Sequence, residues 1–193
     1  MKRTFIAIPV VPSENLLKIL RELQQHLTGE AIKWVEPGNL HLTLKFLGET
    51  RETQLTEIYG KLDRIGASFA RMNGTLTGLD YFSINGNPSV LFSEISGMPR
   101  LEEIAKVLNE AMSEEGFIPD QRRFRPHLTF ARIKMLRDRR KFTGLAGHYR
   151  SIELQSVEAE KMVLYESILY PEGPRYIPLH TVSLPMFRAS GVL

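Results

Sequence analysis

A strand-helix-strand pattern recurs in this chain at a fixed spacing, and each copy closes on the same tripeptide. His41-Leu42-Thr43 and His127-Leu128-Thr129 lie 86 residues apart (127 − 41). The same offset carries the apolar run Phe5-Ile6-Ala7-Ile8 onto Leu91-Phe92-Ser93-Glu94. Between strand and histidine each half carries an amphipathic helix pattern: Leu16, Leu17, Leu20, Leu23 and Leu27 in the first, Leu101, Ile104, Ala105, Leu108 and Met112 in the second. Recurrence at three to four residues marks one buried helix face. A pattern used twice in register predicts a duplicated architecture, with pseudo-repeats over residues 1–86 and 87–193. No linker or low-complexity tract divides the chain, so residues 1–193 are read as one two-lobed domain.

Around the repeat, the pattern predicts strands over 4–10, 31–35 and 40–47, helices over 13–27 and 52–65, and a strand over 68–79. Ser13 is a candidate N-cap. Asn85-Gly86-Asn87-Pro88 is a strong turn signal. The second half predicts a strand over 89–95, a helix over 99–115 and a strand over 125–133. A loop over 137–150 and strands over 152–157, 160–170 and 175–184 complete it.

In a strand, residues two apart share a face. His41, Thr43 and Lys45 are thus expected on one face, with Leu42, Leu44 and Phe46 in the core. His127 and Thr129 share the matching face, backed by Leu128 and Phe130. Parity sets Arg132 opposite His127 unless a bulge or the strand end re-aims it. Two imidazoles on opposite sides of a phosphorus atom can run an in-line displacement as base and acid, and threonine hydroxyls suit the non-bridging oxygens. Neither motif carries the carboxylate or third histidine usual in hydrolytic zinc sites, so no metal is expected.

The net charge of +3 is unevenly spread. Residues 122–141 hold nine basic side chains and one acid, leaving the remainder at −5 (3 − 8). That run brackets His127, and a positive field there favours a phosphate-bearing substrate. The absence of cysteine rules out disulfides, thiolate ligands and a cysteine nucleophile, and fits a reducing compartment. Met1-Lys2-Arg3 and the apolar residues after it faintly imitate a signal peptide. Pro9 and Pro12 interrupt the run, so a buried strand in a cytoplasmic protein is expected, with no membrane span.

At these residues the chain resembles the two-histidine (2H) phosphoesterase superfamily, whose signature is a pair of His-x-[Thr/Ser]-x motifs. Trp34 to Glu49 is similar to the first motif of the bacterial and archaeal RNA 2′,3′-cyclic phosphodiesterases, formerly called 2′-5′ RNA ligases, and Arg125 to Arg132 to the second. The resemblance implies a pseudo-symmetric bilobal α+β fold, two antiparallel sheets lining a central cleft with helices outside. It implies hydrolysis of RNA or nucleoside 2′,3′-cyclic phosphates to 2′-phosphomonoesters without cofactor, reversible as 2′-5′ ligation. His41 would be the proton donor and His127 the proton acceptor. Thr43, Thr129, Arg132, Lys45 and Phe5 would contact substrate, Phe5 by stacking on a base. RNA ends or cyclic nucleotides are the expected partners of a monomer. The alternatives are a non-catalytic module that binds RNA ends or nucleotides, and a 2H enzyme for 2′,5′-oligonucleotides or ADP-ribose cyclic phosphate.

Overall fold

The computed structural model describes residues 1–186; residues 187–193 of the expected domain lie outside the described residues. In chain order the elements are β1 (Lys2–Pro9), α1 (Glu14–His26), β2 (Ala31–Trp34), β3 (His41–Thr50), α2 (Glu52–Ala67), β4 (Met72–Ile84), β5 (Asn87–Ser96), α3 (Arg100–Glu114), β6 (His127–Met135), α4 (Arg139–His148), β7 (Glu153–Ala159), β8 (Lys161–Leu169) and β9 (Pro174–Ser183).

The fold is α+β, as expected. Its strands form one curled antiparallel sheet in the order β7-β4-β5-β6-β3-β1-β8-β9, with β2 added beside β6. The two expected sheets are halves of this sheet. They join through a single β3–β6 register pair, Leu42↔Leu128, both fully buried.

Neither half of the chain is a lobe by itself. The sheet half containing β1 and β3 is completed by β8 and β9 from the end of the chain. The half containing β5 and β6 takes in β2 and β4 from the first 84 residues. Helices cross over too. α3 packs on β3, and α2 on α3 and β9. α1 lies by β7, where Ser13 N–H donates to Gln155 Oε1 (2.7 Å) and Asn15 Nδ2 to the Leu154 carbonyl (3.3 Å). The duplicated pattern thus interlocks.

Local chemistry accounts for most boundaries. Ser13 caps α1, its hydroxyl accepting from Leu16 N–H at 3.2 Å, and α1 buries Leu16, Ile19, Leu20 and Leu23 on one stripe. The β4–β5 turn holds Asn85 and Gly86 at φ +50° and +77°, the left-handed pair that matches the twist of a two-residue hairpin. Two elements differ from expectation: the strand expected over 68–79 runs over Met72–Ile84, and residues 139–148 form a helix where the pattern predicts a loop. Asp138 caps it by accepting from Lys141 N–H (2.9 Å), and only Phe142 and Ala146 are buried. Two apolar anchors among glycines and basic residues leave no helical period to read.

Candidate active site

The two motif strands meet at the seam of the sheet, so His41 and His127 open the two central strands. Both rings are half-buried and held in the same way. His41 Nδ1 lies 2.6 Å from the Asn39 carbonyl oxygen, and His127 Nδ1 lies 2.6 Å from the Arg125 carbonyl oxygen. A carbonyl only accepts, so Nδ1 of each ring carries the proton and donates it. Each Nε2 is thereby left as the reactive nitrogen.

The carbonyls are themselves anchored. Asn39 Nδ2 donates to the Pro174 carbonyl (2.9 Å), tying the turn before β3 to the start of β9. The Arg125 guanidinium pairs with Glu94, lies 3.7 Å from Asp80, and covers the rings of Phe82 and Phe92 at 5.4 and 5.3 Å.

Each imidazole rests on aromatics. Phe5 and Tyr176 flank His41 at 4.9 and 5.2 Å between centroids, and Phe82 and Phe92 flank His127 at 5.1 and 5.4 Å. This apolar packing lowers both imidazole pKa values, since burial disfavours the charged ring. The Nδ1 hydrogen bonds oppose that shift, while the Arg132 cation deepens it at both rings.

Strand parity breaks just past the threonine of each motif, and these breaks match. Ile6 pairs with Lys45 and Ala7 with Thr43, so Leu44 is an extra residue bulged from β3. Leu91 pairs with Ala131 and Phe92 with Thr129, so Phe130 is the extra residue in β6. A bulge reverses the alternation beyond it. Arg132 therefore shares the cleft face with His127 and Thr129, exposed and making no side-chain hydrogen bond or ion pair among the described residues. Phe46, expected in the core, turns to the cleft face at 56% exposure. The registers also show that the first strand maps with an offset of 85 (Ile6 onto Leu91), one less than the motifs.

The same bulge removes Lys45 from the site. Its side chain is 1% exposed, and Nζ donates to Asn109 Oδ1, the Ile118 carbonyl and Asp120 Oδ2 at 2.8 to 2.9 Å. No proton of this ammonium is left for a phosphate. Phe5 also departs from expectation. It is 3% exposed beneath His41, Tyr165 and Tyr176, so it supports the histidine and has no face for a base. Thr43 and Thr129 are half-buried on the cleft face, with hydroxyls unbonded among the described side-chain hydrogen bonds. His26 lies on α1 and His148 on α4, while His180, on β9 with Tyr176, pairs with α2 instead, its Nε2 2.8 Å from Asp63 Oδ1.

Beside His127, Thr43 and Phe46 a groove of about 1090 Å³ runs between α3 and residues 119–125. Among the described residues no three His, Asp or Glu side chains gather as a metal-holding group. Within the same residues, the cleft offers two imidazoles with free Nε2 atoms, two hydroxyls and the unpaired guanidinium of Arg132, with that of Arg122 in the adjoining groove.

The model of the LigT like Phosphoesterase family matches residues 6–92 and 95–176, spanning both motifs. The chain belongs to this family. Relatives of this phosphoesterase include the RNA 2′,3′-cyclic phosphodiesterases of Aquifex aeolicus, 34% identical over 82% of this chain and 84% of that protein, and of Aeropyrum pernix, 35% identical over 84% and 92%. Among solved structures, E. coli LigT complexed with 3′-AMP is similar at 25% identity and a TM-score of 0.75, covering 95% of this phosphoesterase and 98% of that chain. A Thermus thermophilus structure reaches 0.77 at 27% identity, covering 96% and 100%.

Tyr176, Phe82 and Phe92 are the residues whose place at the histidines the strand pattern does not disclose. Phe92 comes from β5, next to β6, but Phe82 lies on β4 two strands from its histidine and Tyr176 on β9 three strands from β3, so only the curl of the assembled sheet brings them there.

Proposed function

We propose that this phosphoesterase hydrolyses the 2′,3′-cyclic phosphate of RNA ends or nucleosides to a 2′-phosphomonoester, using its two histidines and no metal. The observation that carries the reading is the matched pair of imidazoles, each with Nδ1 tied to a backbone carbonyl two residues earlier and Nε2 left to react. A protein that only bound nucleotides would gain nothing from two oriented proton-transfer groups. The family and the named activity of its relatives supply the substrate class, and 3′-AMP in a similar structure agrees with it.

In the mechanism, neutral His127 accepts a proton at Nε2 from water as the water oxygen bonds to phosphorus. The P–O3′ bond breaks in line, and protonated His41 gives its Nε2 proton to the departing 3′ oxygen. Phosphorus stays on O2′. Thr43, Thr129 and Arg132 hold the non-bridging oxygens as their charge grows. A 5′-hydroxyl in place of water would form a 2′-5′ linkage by the same transfers. The protein is further read as a cytoplasmic monomer.

The decisive assay incubates the protein in chelator with a 2′,3′-cyclic mononucleotide and a short RNA bearing that end, then identifies the phosphomonoester. The 2′ isomer is expected at an undiminished rate. Turnover of neither substrate would reduce the cleft to a binding site, and loss of rate in chelator would mean that a metal takes part.

The pH dependence follows from the environment of the rings. The productive free enzyme has His127 neutral and His41 protonated, so kcat/KM falls on both sides of a maximum, and the two apparent values belong to the pair. Burial and Arg132 depress both values, which sets the maximum below the ordinary imidazole pKa of about 6.5. Replacing Arg132 by Met removes a cation that disfavours both imidazolium forms. Both limbs should move to higher pH, and kcat/KM should drop about 10- to 100-fold with the lost charged hydrogen bond. Unmoved limbs in R132M would separate Arg132 from the histidines.

A further inference from the structure

Lys45 is a charged side chain that the reaction does not use, and its burial asks for another role. All three ammonium donors are spent on one neighbourhood: Asn109 near the end of α3, and Ile118 and Asp120 in the loop of residues 115–126. Asn109 and Asp120 are bonded twice more, Asp120 N–H to Asn109 Oδ1 at 2.8 Å and Asn109 Nδ2 to the Asp120 carbonyl at 3.3 Å. The result is a latch that fastens the loop to β3 beside the bulge. Immediately past the latch, Gln121, Arg122 and Phe124 form one wall of the groove beside His127, and Phe46 lies on the other.

The duplication supplies an internal control. Lys45 corresponds to Ala131 in the second motif (45 + 86), which is also fully buried but carries no such group. The bulged strand therefore folds without a cation at this position. What differs in the first motif is the loop to be held. The bulge that turns Phe46 toward the groove buries Lys45 beneath it, where Lys45 lines the groove with Asn109 and Asp120, so one backbone irregularity sets both walls.

We propose that Lys45 is a positioning residue that, with Asn109 and Asp120, fixes the groove wall for the RNA segment 5′ to the cyclic phosphate, and so favours RNA ends over mononucleotides. This rests on the cyclic phosphodiesterase reading. A mononucleotide engages the end of the groove lined by His127 and Thr43, short of the wall past the latch, so its turnover should depend little on the latch. A longer strand needs the wall in place.

The test uses Lys45→Met and Asp120→Ala. Asp120 is 60% exposed, so its replacement spares the core if K45M folds poorly. Each variant is assayed on a 2′,3′-cyclic mononucleotide and on a short oligonucleotide with the same end, and binding of the 2′-phosphate oligonucleotide is read by fluorescence anisotropy without turnover. Expected is a rise of about tenfold in oligonucleotide KM and Kd, with kcat and mononucleotide kinetics within about twofold, the pattern of lost binding rather than lost chemistry. The double variant should be no worse than K45M alone. Equal losses on both substrates, or unchanged oligonucleotide binding in D120A, would overturn the proposal. Failure of the wild type to hydrolyse either substrate would count against the phosphodiesterase reading instead, and the anisotropy comparison would still decide the latch.

Discussion

Replacing His41 or His127 with Ala should each lower kcat by about 10²- to 10⁴-fold, the usual contribution of one positioned acid or base. The double variant should lose little more than the worse single one, because the two proton transfers serve one displacement. Both variants should unfold near the wild-type denaturant midpoint. The two rings sit half-exposed on aromatic side chains that pack among themselves, Phe5 on Tyr165 at 5.3 Å and Phe82 on Phe92 at 4.1 Å. The roles of the pair can be told apart with a substrate whose 3′ leaving atom is sulfur, which departs without a proton. H41A should recover most of its loss on that substrate and H127A should not. Recovery by H127A alone would reverse the acid and base, and a variant keeping more than about a tenth of the rate would take that histidine out of the mechanism.

Leu128→Ala should give the largest loss of stability among changes at the cleft, about 2–5 kcal/mol by denaturant unfolding, the range for a leucine truncated in a closed core. Leu128 is fully buried and is half of the single register pair that joins the two sheet halves. A void there loosens the one strand contact that sets the spacing of the histidines. The folded fraction of L128A should therefore also show reduced kcat, with the circular dichroism spectrum of the wild type. Leu42→Ala should act alike, and the pair should couple non-additively. Full activity in folded L128A would mean that the packed helices, rather than the seam, hold the histidines apart.

The motif histidines and threonines were legible because side-chain alternation near the start of a strand depends only on local backbone. Two residues further on, the same rule misplaces three side chains. It buries Phe46, exposes Lys45, and sets Arg132 on the wrong face, all because of single bulges at Leu44 and Phe130. A bulge arises from pairing with a neighbouring strand, and no local pattern announces it. Repetition could have hinted at it: Phe46 and Arg132 stand in matched positions, so a reason to turn one outward applies to the other. Helix α4 was hidden for a different cause, since its burial against β4 needs only Phe142 and Ala146. The crossing of strands between halves is likewise a property of the assembled sheet.

The interlocking of the two repeats bears on how the protein comes off the ribosome. β1 and β3 emerge early, yet their sheet half waits for β8 and β9, synthesised more than a hundred residues later. Until then one edge of β1 lacks its neighbour, a hydrogen-bonding edge of the kind that invites foreign pairing. No nascent fragment holds both an assembled cleft and a finished sheet. The hairpin of β8 and β9, which carries Tyr176 to His41, is thus the piece whose arrival closes the sheet around the site.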